Sequence, residues 1–151
     1  MYLGGYLTLL QEREGQLAES FTILADLHAG EPDICSTSRL LAQWSRCHAE
    51  TLAGLIGRRY PGPPITGNGM RIAYPKGPSG HNRGLLYDLH SVWLLGQDVH
   101  LRWTVAGQAA HVLRDAELEA ISATCGRETD RQLSWLRDRI EAIAPQALVV
   151  V

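Results

Sequence analysis

The segment from Arg58 to Gly80, RRYPGPPITGNGMRIAYPKGPSG, holds five of the seven prolines in the chain and shows neither a helical nor an alternating apolar period. Proline lacks the amide that a helix or ladder needs, so this stretch forms no regular element. On both sides of it the hydrophobic pattern is that of long helices. The chain therefore folds as two helical halves joined by a connector of about 22 residues, a length that needs a structural reason inside a compact domain.

The first half begins with a stripe at positions 3, 7, 10, 14, 17, 21, 24 and 28, which read Leu, Leu, Leu, Glu, Leu, Phe, Leu and His. Steps of three and four keep these residues on one face of a helix over about 4–28. Gly30-Glu31-Pro32-Asp33 then ends that helix and starts a second over about 33–57, with proline at a first-turn position and acids near the new N-terminus. Its inward side carries Ile34, Leu41, Trp44, His48, Leu52 and Leu55.

After the connector, 58–81, a third helix is expected over about 82–113. One of its stripes is apolar, from Leu85 through Val92 and Trp103 to Leu113. A second stripe beside it, read as facing inward, holds His90, Trp93, Gln97, His100, Thr104 and His111. A fourth helix over about 116–143 carries Leu118, Ile121, Cys125, Glu128, Gln132, Leu136 and Ile140 on one side, with Pro145 expected to stop it. No glycine or proline separates the last two. An unbroken helix from 82 to 143 would be about 93 Å long and could not cover its apolar stripes, so a turn with Asp115 as N-cap is required.

These assignments define one all-α domain, residues 1–151, built as a four-helix bundle. Two antiparallel pairs set in parallel order need a connector running the bundle's length, about 40 Å for 26 residues, and some 22 extended residues can span about 70 Å. A long crossover between helices two and three explains the connector. With 45% hydrophobic residues the chain can bury a core without disulfides. Fourteen Lys and Arg are scattered among sixteen Asp and Glu with no basic stripe, which argues against nucleic acid and membrane surfaces as partners. Cys35, Cys47 and Cys125 are odd in number and lie within helical patterns, as expected of reduced thiols in a cytoplasmic protein. Cys47 and Cys125 read as small core side chains. The apolar N-terminal run lacks a basic leader and stops at Glu12.

Polar residues interrupt each inward face at a similar height. Glu14 lies about as far before the first turn as His48 lies after it, and His100 and Glu128 bracket the last turn in the same way. At 1.5 Å per residue all four fall near mid-bundle. Such groups must neutralise one another, take up protons, bind water or hold a cation. Two carboxylates and two imidazoles suit iron, manganese or zinc, with Gln97 flanking and Cys125, one turn from Glu128, favouring zinc. A metal-free hydrogen-bonded layer that only fixes helix register meets the same requirement.

Four long helices, a long second connector and inward Glu and His at mid-height resemble the ferritin-like superfamily over about residues 4–143. In its di-iron members helices one and three each give a Glu, and helices two and four each give Glu-x-x-His. Glu14, His48 and Glu128 match that pattern. Ser45 stands where the second helix's Glu belongs, Gln97 or His100 replaces the third helix's Glu, and Arg131 replaces the last His. The resemblance implies a bundle with a transition-metal site of Glu14, His48, His100 and Glu128. The alternative is a metal-free helical interaction or assembly module, with a homo-oligomer, a dimer, expected in either case. Whether the chain catalyses a reaction stays open. His28 and His111 read as solvated or capping residues near helix ends, and Asp88 and Asp98 have no evident partner.

Overall fold

The computed structural model describes residues 2–63, 65, 73–76 and 81–150, and these contain four α-helices and no strand. The helices are α1 (Leu3–Leu27), α2 (Pro32–Arg59), α3 (His81–Leu113) and α4 (Ala116–Leu148). All four lie where the apolar period predicts, and no described helix is long and apolar enough to cross a membrane.

Contacts at the helix ends fix the helix directions. Gly4 at the start of α1 sits under the carbonyl of Tyr60, just past the end of α2, so these two are antiparallel. Arg59 reaches Asp115 before α4 at 3.0 Å, while His28 after α1 bonds Asp88 near the start of α3 at 2.7 Å. At that same end Arg139 of α4 meets Asp33 of α2 at 2.8 Å. Helices α2 and α3 therefore run parallel, and the chain between them has to cross the bundle from end to end.

Described parts of the connector trace this crossing along α1. A Cβ on Gly5 would come within 2.9 Å of both the Pro63 carbonyl and the Ile65 side chain, so the glycine pair at α1's start admits the connector. Tyr74 lies beside Glu19, and the Lys76 amide donates to Asp88 at 3.0 Å.

The core fills the seam with leucines at 7, 10, 17, 24, 41, 52, 55, 89, 118 and 136, together with Phe21, Val92, Val99 and Trp103. Each such side chain contributes about 1.5–3 kcal/mol through burial. Trp44, Trp93 and Trp135 pack against this core while partly exposed.

The turn between α3 and α4 uses a left-handed residue that is not glycine. Arg114 has φ of 54°, its amide donates to His111, and the Asp115 amide donates to Ala110. This is the Schellman arrangement, which closes α3. Asp115 then caps α4 by accepting from the Leu118 amide at 3.1 Å. Its carboxyl is held below the usual range: burial raises it, but the Tyr60 hydroxyl, the Leu118 amide and Arg59 outweigh burial. One departure from expectation lies at the C-terminus, where α4 continues through Pro145 to Leu148 instead of ending near residue 143. Proline removes only its own amide, and the amides of Val149 and Val150 still donate to the Pro145 carbonyl.

Candidate functional site

Glu14 on α1 is wholly buried in the middle of the bundle. Its Oε2 accepts from His48 Nδ1 on α2 at 2.5 Å and from Trp103 Nε1 on α3 at 3.2 Å. The other nitrogen of His48, Nε2, faces Glu128 Oε2 on α4 at 3.3 Å. Each helix thus supplies one member of a polar layer, and His48 stands between two carboxylates. Glu14 is sealed from solvent, whereas the Glu128 side chain is 34% exposed and forms the layer's outer edge.

Burial pushes the Glu14 carboxyl up, partly offset by His48, Trp103 and Ser45, and the net shift is upward. Burial pushes the His48 imidazole down, but the hydrogen bond and charge of Glu14, then those of Glu128, carry it above its ordinary value. Both shifts favour holding a proton in this pair. Two N–H groups converging on Oε2 suit a carboxylate there, with the shared proton on His48. His48 is then an imidazolium donating on both sides, the charge-assisted form of hydrogen bond.

A second set of polar contacts lies one turn away. Gln132 Nε2 on α4 donates to the Leu41 carbonyl at 3.0 Å and to Ser45 Oγ at 2.9 Å. Glu14 Oε1 and Gln132 Oε1 are buried without a well-aligned partner.

Of the residues expected to form the site, Glu14, His48 and Glu128 meet. His100 is half-buried, one turn before Trp103, and faces a groove between α3 and α4 shared with Thr104, Ser122 and Asp130. Gln97 is exposed, so it does not flank the layer. Arg131 points out to solvent and does not compete for Glu128. Cys125 is buried, and its thiol is pushed up to about 12 by burial and by the charges of Glu14 and Glu128, which keeps it protonated. Cys47 is exposed and is not part of the core. Among the described residues, no three His, Cys, Asp or Glu side chains are grouped to hold a metal ion.

Trp103 completes the layer and Ser45 with Gln132 extends it by one turn, and sequence reasoning did not place them there. Trp103 lies in the apolar stripe of α3, but a buried indole needs an acceptor for its N–H, and that need was the available signal.

A second buried pair lies at the end of the bundle. His28 is buried rather than solvated, and its Nε2 meets Asp88 Oδ2 at 2.7 Å. Asp98, the other acid without an evident partner, bonds Arg102 at 2.8 Å and lies 3.9 Å from Arg13.

No family model, curated protein or solved structure matches the chain.

Proposed function

We propose that the chain is a non-catalytic helical assembly module whose mid-bundle polar layer works without metal and fixes the register of the four helices. The observation that carries this reading is that both nitrogens of His48 are engaged by carboxylates, while Glu14 Oε2 also accepts from Trp103. A cation at the layer would need the lone pairs these hydrogen bonds use, and the indole N–H aimed at Glu14 would oppose it. Ser45 and Arg131 stand where a ferritin-type di-iron centre needs Glu and His, and Trp103 is the residue α3 presents. The donor set does not fit that centre. The resemblance to ferritin-like proteins is then one of helix order, and the crossover between α2 and α3 is in keeping with it.

A buried polar layer of this kind makes other helix registers costly, because a shift of one turn would leave Glu14 and His48 unpaired. Assembly with a second copy suits the large apolar side chains that α3 exposes, Leu94, Leu101 and Val112 among them. A reducing compartment such as the cytoplasm fits its three unpaired thiols.

One observation favours the competing metal reading. Glu14 behind Nδ1 is the arrangement that orients a metal-ligating histidine, and Nε2 with Glu128 lies on the open side. Elemental analysis of tag-free protein, before and after incubation with iron, manganese or zinc, decides between them. The expected result is no stoichiometric metal in either sample and no shift in the thermal midpoint. Stoichiometric metal that disappears in His48→Ala would overturn the proposal.

A further inference from the structure

The outward face of α3 differs from the rest of the surface. Between Tyr87 and Leu113 none of its exposed residues is Asp, Glu, Lys or Arg. Its charged residues in that span, Asp88, Asp98 and Arg102, are turned inward and paired. On α4, by contrast, the exposed side carries Glu119, Arg127, Asp130 and Arg137 among others.

Six of the exposed residues on α3 are large and apolar, and besides Leu113 at its end they are Tyr87, Leu94, Leu101, Val105 and Val112. For these five the geometry is regular. Their spacings of seven, seven, four and seven put them on one line of the helix, about 38 Å long. Leu101 at its middle is 62% exposed and Val112 is 81% exposed. A parallel line beside them, His90, Gln97, Thr104 and Gln108, can hydrogen-bond but carries no fixed charge. A face depleted of charge with an apolar centre is the composition of an interface core.

The order of these residues matches a second copy of the same face. A two-fold axis passing between positions 99 and 100 sets Tyr87 opposite the partner's Val112 and Leu94 opposite the partner's Val105, and it leaves Leu101 beside the axis. An isologous contact requires this self-matching, in which residue i meets j and j meets i. The neutral face neither attracts a charged partner nor repels its own copy.

We infer that α3 is the interface of a two-fold symmetric homodimer, two copies packing antiparallel along the line from Tyr87 to Val112. This rests on the assembly reading above and names the surface and partner for it. The groove lined by His100 and Thr104 flanks the same face and would lie at the dimer's edge.

The test uses the full chain. Sedimentation of the wild type should give a particle of about 33 kDa, twice the 16.6 kDa of one chain. Leu101→Glu, a change at an exposed position, should retain the helical circular dichroism and sediment as the monomer. In a Cys47→Ser background, Leu94→Cys with Val105→Cys should form an intermolecular disulfide on mild oxidation, and Leu94→Cys alone should not. A wild-type monomer would overturn self-association. A dimer that Leu101→Glu leaves intact, or that cross-links equally well through Leu94→Cys alone, would overturn this interface. A metal-free monomer would leave the assembly reading standing for a different partner, whereas stoichiometric metal defeats that reading whatever the mass.

Discussion

His48 and His28 are both buried, and each is paired with a carboxylate from another helix, yet they serve different parts of the molecule. His48 lies at mid-bundle between two acids, with one nitrogen against sealed Glu14 and the other against half-open Glu128. It ties α1, α2 and α4 together at one height. His28 lies at the bundle's end against one acid, and the second oxygen of Asp88 accepts the Lys76 amide. That pair fastens the connector to α1 and α3. The middle pair specifies how helices align, and the end pair specifies where the crossover lands.

The difference predicts unequal costs. His48→Ala removes the imidazole partner of a fully buried carboxylate and should lower stability by about 3–5 kcal/mol, read from the urea midpoint. His28→Ala leaves Asp88 with the Lys76 amide still bonded and should cost about 1–3 kcal/mol. Equal losses at the two sites would break the comparison. Hydrogen exchange sharpens it: Asp88→Ala should expose the Lys76 amide while amides near His48 stay protected. The smallest effect concerns the α3–α4 turn. Arg114→Gly should raise stability by about 1 kcal/mol, because glycine adopts the left-handed conformation without steric cost.

Much of the fold was legible from the residues. Steps of three and four located all four helices, and the proline-rich stretch was long enough for the crossover that the end contacts at Tyr60 and Asp88 now show. Counting residues from the turns also brought Glu14, His48 and Glu128 to one level, because helix rise is nearly constant. The contribution of α3 was misread for a physical reason. His100 lies one turn before Trp103 and about 60° around the helix from it, on the groove between α3 and α4, and the stripe of histidine, glutamine and threonine looked like an inward polar seam. It is instead an outer face whose lack of charge mimics burial. The pair of His28 and Asp88, sixty residues apart in the chain, follows from the packing of α1 on α3 and has no local signature. The turn at Arg114 lacked a glycine, so only the length argument pointed to it.

The central claim is that His48 holds a proton between two carboxylates and has no metal. A histidine whose pKa is raised on folding adds stability that is complete below its unfolded value of about 6.5 and is lost as pH climbs through the folded value. The upward shift of Glu14 acts with the same sign. The most direct measurement is nitrogen NMR of the His48 ring across pH, with and without added zinc. Both ring nitrogens should stay protonated above the ordinary histidine value, unchanged by zinc, while the urea midpoint falls on the alkaline side as the proton leaves. A Nε2 that loses its proton at or below the ordinary histidine value of about 6.5, or that shifts on addition of zinc, would contradict this account.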